Sequence, residues 1–380
     1  MRLPSRASNP LLATALLACC VLAGCRTMPA DREPDETDAE PMLSAASIPH
    51  ATVQEAFLTA ATPEDNIDSP ALWQGDDGRA LLLATAKKTG RLMAYDGDTG
   101  ASLGPKGRKG TAQGEFDRPN GIFVTDDLVF VVERDNHRVQ VLRLPGFEPV
   151  GTFGQDALVQ PYGLWLHATA PGEYDVLVSD AYMAGTDAQG DDIVPPVAAL
   201  GERLKRYRVR VDGASLEATA TGTVGDTTEA GAIRIPESVW GDPAHARLLV
   251  AEEDVDTGTA LREYRMDGTF AGRTLGLDLF QAQAEGIALW QCADGSGYWL
   301  ATDQFKDRSL FHVLDRQTLE HLGAFAGTAT GNTDGVWLHQ AGTARFPDGV
   351  FYAVHDDMAV AAFDWRDIAG ALELRDRCDG

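Results

Sequence analysis

Asn120–Leu144 reads NGIFVTDDLVFVVERDNHRVQVLRL. Three apolar runs (GIFV, LVFVV and VQVLRL) are split by two polar turns, Thr125-Asp126-Asp127 and Asp135-Asn136-His137-Arg138. Short runs rich in β-branched and aromatic residues, bounded by Asp and Asn, read as strands joined by hairpins. The middle run has counterparts along the chain: LLLATAK from Leu81, VLVSDAY from Val176, LLVAEED from Leu248, YWLATDQ from Tyr298 and FYAVHDD from Phe351. With VFVVERD from Val129, the six starts lie 48, 47, 72, 50 and 53 residues apart. Each is followed by another strand, such as RLMAYD at Arg91 or MAVAAFD at Met358, and preceded by a short apolar run. Three strands and a less regular fourth, repeated at this spacing, are the content of a propeller blade. The fold class expected is all-β, a six-bladed β-propeller over residues 51–375, with an insertion near 183–202 in blade 3.

The residues before the repeats have other work. Arg2 and Arg6 precede an apolar run from Leu11 to Leu22, followed by Leu22-Ala23-Gly24-Cys25. A basic start, a short apolar stretch and small residues before a cut site describe a secretory signal, here residues 1–24. Cys25 after Leu-Ala-Gly resembles the bacterial lipobox, which implies lipidation of Cys25 as the first mature residue. Arg26 rather than Asp after it implies an outer-membrane lipoprotein facing the periplasm or the cell surface. Residues 25–50 are acidic and Pro-containing and read as a disordered tether. Of the five cysteines, only Cys292 and Cys378 then remain in the folded part. In an oxidising compartment they can pair, or they can stay as two buried thiols.

The chain has 380 residues, 57 acidic against 32 Lys plus Arg, and a net charge of −25. No block of basic residues interrupts that balance, so nucleic acid is excluded as a partner. The only membrane contact expected is the lipid anchor, and a monomer is expected. No GxSxG, HExxH, Walker A or GxGxxG motif occurs, so neither nucleophilic serine chemistry nor nucleotide binding has a candidate.

A repeat also places side chains. The residue opening each inner-strand motif occupies an equivalent place around the central channel: Ser69, with Asp68 before it, then Asn120, Tyr162, Glu237, Glu285 and Asp334. A second column lies at the ends of the next strands: Lys87 and Lys88, Glu133 and Arg134, Asp180, Glu252 and Glu253, Asp303, His355 and Asp356. Carboxylates converging on one channel mouth repel one another unless a cation sits among them. Oxygen ligands without Cys or clustered His suit Ca2+ rather than zinc.

At these residues the chain resembles the β-propeller phytases, the calcium-dependent 3-phytase family. The likeness covers DSPALW at Asp68 with ATAKKTGRLMAYD, PYGLWL around Tyr162, and PESVW with LLVAEED around Glu237 and Glu253. It continues through AEGIALWQCADGSGYWLATDQ from Ala284, GNTDGVW at Asp334 and GVFYAVHDDMAVAAFDW. The resemblance implies that Asp68, Glu237, Glu253, Glu285 and Asp334 ligate Ca2+, and that Lys87, Arg134 and Tyr162, with Glu237, serve catalysis by holding phosphate and metal. It implies hydrolysis of phosphomonoesters of myo-inositol hexakisphosphate or a related phosphorylated small-molecule substrate, by a calcium-activated water attacking in line. Ser69, Gln283 and Thr328 stand where the family has Asp, and Ala181 where it has Lys, so fewer calcium ions are expected. Two further readings follow from the same residues. One is a non-catalytic propeller that binds a ligand or protein. The other is a six-bladed lactonase with one central calcium held by Asn120, Glu237, Glu285 and Asp334. Gly114–Gly154 is also close to an NHL repeat, which implies that His137 and Arg138 are turn residues.

Overall fold

The computed structural model describes Met1 and residues 41–378; the rest of the expected signal segment and Cys25 lie outside them. The described chain is nearly all β, in six antiparallel four-stranded sheets that follow one another in sequence. Blade 1 comprises Ile67–Gln74, Ala80–Ala86, Arg91–Asp96 and Ser102–Lys106. Blade 2 runs Pro119–Thr125, Leu128–Glu133, Arg138–Arg143 and Glu148–Phe153. Blades 3, 4 and 5 begin on the inner strands Pro161–Ala170, Pro236–Asp242 and Ala284–Gln291. Blade 6 has only three strands of its own, Val336–His339, Val350–His355 and Ala359–Asp364. Its outer strand is Phe57–Leu58 from the start of the domain, paired antiparallel with Ala361 and Ala362. This early strand thereby closes the ring on the last blade, and the strand before it, Ala51–Thr52, adds a parallel edge to blade 5.

The inner strands meet more closely than side chains normally allow. A Cβ on Gly121 would lie 2.7 Å from the Tyr162 carbonyl oxygen, and one on Gly163 2.7 Å from that of Glu237. Gly286 and Gly335 stand likewise 2.9 Å and 2.6 Å from the carbonyl oxygens of Asp334 and Asp68. Two of these glycines donate N–H bonds across the blade boundary, Gly286 to Asp334 and Gly335 to Asp68, each at 3.0 Å. Two hydroxyls add further bonds across blade boundaries. Thr85 takes the Ser69 N–H and donates to the Asn120 carbonyl at 2.6 Å, and Ser179 takes the Gly163 N–H and donates to that of Glu237 at 2.9 Å. One end of the channel is filled by Phe123, Trp240 and Trp337, with ring centroids 5.0–5.8 Å apart. The other end is the mouth, where inner strands begin and second strands finish.

One boundary differs from the sequence reading. The tether does not extend to residue 50: Leu43 is buried against Ala282, Phe305, Leu310 and Ala324, and its N–H donates to Asp307 Oδ1 at 2.7 Å. An apolar side chain with a complementary hole overrides the acidic composition around it. The blade 3 insertion is where the spacing put it, between Glu173–Asp180 and Leu204–Asp212. At the C-terminus, helix Trp365–Leu372 stacks Trp365 on Trp290 at 5.4 Å, and Cys292 and Cys378 form a disulfide.

Glu55 ties the closing segment to the approach of blade 6. Burial would raise its pKa, but hydrogen bonds from the Thr328 and Thr330 hydroxyls and the Ala329 N–H outweigh this and hold it at about 2. A depressed carboxylate contributes stability that is present above its unfolded pKa and lost as pH falls through the folded one. Glu55→Gln should therefore reduce the loss of stability between about pH 5 and pH 2 by on the order of 1 kcal/mol, discounted for its partial exposure, in urea titrations. Gly335→Ala should cost about 1–3 kcal/mol in the same assay at neutral pH, because a methyl group there must push blades 6 and 1 apart.

Candidate functional site

The register fixes which residues share a column. Pro70, Ile122, Leu164, Val239, Ile287 and Val336 pair with equivalent second-strand residues, and the pairing shifts before the first five of these. Counting back two residues gives Asp68, Asn120, Tyr162, Glu237, Glu285 and Asp334. Asp68, not Ser69, is thus the blade 1 member, because Ser69 takes the place held by Gly121, Gly163, Gly286 and Gly335. The Ser69 hydroxyl instead donates to Asp68 Oδ1 at 2.7 Å.

The second column divides in two. Glu133, Asp180, Glu252 and Asp303 are fully buried and accept backbone N–H bonds from the segments leading into their inner strands. Asp303 takes those of Gln281 and Ala282 at 2.9 and 2.7 Å, and Glu252 those of Arg234 and Ile235 at 2.6 and 2.8 Å. Asp180 takes those of Val159 and Gln160, and Glu133 that of Asp117. These four acids hold the blades together. The residues that follow the strand ends, Lys87, Arg134, Ala181, Glu253 and Gln304, come next to the mouth.

Glu237, Glu253 and Glu285 converge there, each buried, with one carboxylate oxygen apiece lying within 4.8 Å of the others. Burial raises the Glu285 pKa well above the usual carboxylate range, and the charges of Glu237, Glu253 and Asp334 raise it further. Asp68 and Asp334 form the other side of the mouth. Lys87 Nζ stands between them, 3.1 Å from Asp68 Oδ2 and 3.2 Å from Asp334 Oδ2. Gln304, which the sequence reading did not single out, donates to Asp334 Oδ1 at 2.5 Å. Its signal was available: it occupies the blade 5 position equivalent to Lys87 and Glu253. Asn120 is fully buried, and neither its amide oxygen nor its amide nitrogen has a protein partner. A buried amide left so costs on the order of 1–3 kcal/mol, which a bound species can relieve. Between mouth and aromatic plug, a cavity of about 40 Å3 is lined by Ser69, Gly121, Gly163, Ser238 and Gly335, enough for water.

The remaining expected site residues divide by location. Tyr162 is buried in the inner column. Arg134 holds the blade 2 position matching Lys87, with its Nε 2.8 Å from Asp135. Gln283 offers its carbonyl to the Gln304 N–H, and Thr328 is spent on Glu55. His137 adopts the left-handed turn conformation at φ 52°, and Arg138 binds Glu133 and three carbonyls, so both are structural. Three buried carboxylates with oxygen donors and no sulfur or imidazole fit a hard divalent cation.

No protein-family model and no curated protein matches the sequence. Among solved structures, the chain is similar to Kuenenia stuttgartiensis hydrazine synthase at 11% identity and TM-score 0.46, covering 84% of this chain and 81% of that one. It is similar to a nidogen/laminin complex at 15% identity and TM-score 0.42, covering 73% and 86%. At such values neither likeness carries an argument about activity.

The two kinds of acid should separate in stability measurements without divalent cations. Asp303→Ala strands the buried Ala282 N–H and releases the part-buried Gln281 N–H, and should cost about 1–3 kcal/mol. Glu285→Gln removes a group crowded by like charges and should leave the chelator-treated protein no less stable than the parent. Urea unfolding of both variants in EDTA checks this.

Proposed function

We propose that the channel mouth is a calcium-dependent phosphomonoesterase site. The observation carrying this reading is the convergence of Glu237, Glu253 and Glu285 within 4.8 Å beside a lysine that bridges two further carboxylates. A cation bound there would supply positive charge for a phosphate group and lower the pKa of an attacking water. The protein's own groups do the rest. Glu237, Glu253 and Glu285 hold the cation, and Asp334 stands at its edge. Lys87 has three donors, and a phosphate oxygen can displace one of its carboxylate contacts without leaving the ammonium unpaired. Arg134 adds a planar fork from blade 2. Tyr162 and Asn120 line the wall between blades 1 and 4, and the aromatic plug keeps the site open to one side only. The resemblance to the β-propeller phytases, carried by these same positions, supports myo-inositol hexakisphosphate or a related ester as substrate.

One observation favours a second reading, lactone hydrolysis at a single central cation. Lys87 offsets part of the charge of Asp68 and Asp334, which leaves one cluster of glutamates for one ion, and the buried Asn120 amide lacks a protein partner in the same ring of column residues.

Phosphate release from myo-inositol hexakisphosphate and an aryl phosphomonoester should require added calcium and be abolished by EDTA. Glu253→Gln and Glu285→Gln should each reduce it about 100-fold or more, with Lys87→Ala reducing it about 10–100-fold, as expected for groups acting on developing charge. No release from either ester at any pH would end the phosphatase reading. Lactone turnover with one bound ion, counted by calorimetry, would establish the second. Calcium binding without turnover would identify a binding module.

A further inference from the structure

We infer that the channel mouth faces the bilayer to which the chain is tethered, and that its phosphorylated ligand is a phosphomonoester headgroup presented there. This rests on the phosphatase reading for the chemistry and on the lipidation of Cys25 for the anchor, while the orientation stands on separate observations.

The first is where the chain joins the propeller. The Pro41 carbonyl accepts the Lys306 N–H at 3.1 Å, and the Leu43 and Ser44 N–H groups donate to the Asp307 carboxylate. Lys306 and Asp307 follow the second strand of blade 5, two and three residues beyond Gln304, and Lys306 Nζ donates to Asn332 Oδ1 next to the loop carrying Asp334. The chain therefore leaves the domain at the rim of the mouth, not at the plugged end. Fifteen residues lie between Cys25 and Pro41. Even fully extended they span only roughly 55 Å, so the rim cannot stray far from an anchored lipid.

The second is the distribution of exposed apolar side chains. Met42, Val159, Ile193, Val255 and Leu277 are 42–55% exposed, and all sit on the rim or on loops at the mouth end. Among the described residues the other large exposed apolar side chains beyond Met1 are Leu58, Leu103 and Leu322, on outer strands, with none on the turns of the plugged face. Apolar tips ringing an anchored face suit the boundary between headgroups and acyl chains. The acidic balance of the chain opposes an anionic surface by itself, so seating on one requires the divalent cation that the mouth would hold.

The test uses the full lipidated chain in phosphatidylcholine vesicles containing a minority of phosphatidic acid, with calcium. A bimane label is placed through Leu277→Cys at the mouth or Ala214→Cys on the opposite face. Cys292 and Cys378 are disulfide-bonded, so the introduced thiol is the one that reacts. Spin-labelled lipid should quench the Leu277 label about fivefold or more above the Ala214 label, since groups seated in the boundary lie ~5–10 Å deep. Equal quenching, or stronger quenching at 214, overturns the orientation whatever the activity. In parallel, phosphate release from vesicle phosphatidic acid should fall about tenfold in Cys25→Ser, as effective concentration is lost, while release from a soluble aryl phosphate stays unchanged. Turnover of the soluble ester without turnover of the lipid, or lipid turnover indifferent to Cys25, overturns the headgroup assignment. Failure on both esters is failure of the phosphatase reading, and the quenching result still decides the orientation.

Discussion

The close approach of the inner strands governs everything else in this molecule. At four of the six blade boundaries, a glycine backbone meets the carbonyl oxygen of the next blade's column residue at a distance no Cβ would tolerate. That contact sets the ring's radius. It also means that the residue preceding each glycine, or preceding Ser69 and Ser238 where those replace it, projects into a space shared by six blades. The sheets' apolar faces supply the driving force for stacking, but the glycines decide how tightly the carboxylates are brought together.

From that constraint follows the electrostatic character of the mouth. Three glutamates brought within 4.8 Å in a buried setting cannot all be ionised at ordinary cost, and the strong upward push on Glu285 expresses this. The fold tolerates the arrangement because its stabilising carboxylates are different residues. Glu133, Asp180, Glu252 and Asp303, each one residue before the position nearest the mouth, accept backbone N–H groups from the lead-ins of their own blades. Adjacent acids in the same repeat thus have opposite roles, separated by the alternation of a strand.

The mouth is also asymmetric. Blades 4 and 5 contribute the clustered glutamates, whereas blades 6 and 1 contribute Asp334, Asp68 and the lysine between them. Ser69 and Gln304 use hydrogen bonds to carboxylates where additional acids could have stood. The result is one cation-sized cluster beside a lysine-bridged pair of carboxylates, with the Asn120 amide of blade 2 lacking a protein partner.

Strand number, blade number and the location of the insertion were legible in the sequence, because they are local: apolar runs, turn residues and their spacing repeat within each blade. The inner-column acids Glu237, Glu285 and Asp334 were also legible, since a repeat assigns equivalent places without coordinates. What the sequence could not decide was register. Ser69 and Asp68 differ by one residue, and only the shift in pairing at the start of each inner strand shows which one faces the mouth. Nor could spacing separate Glu252 from Glu253, since a holding acid and a site acid are neighbours of the same type. The docking of Leu43 and the rim position of Pro41 were hidden for a related reason: acidic, Pro-containing composition describes the segment's average, while a single apolar side chain meeting a hole lined by Ala282, Phe305, Leu310 and Ala324, distant in the chain, fixes its place. Local pattern determined the elements; only long-range packing decided which side chains meet.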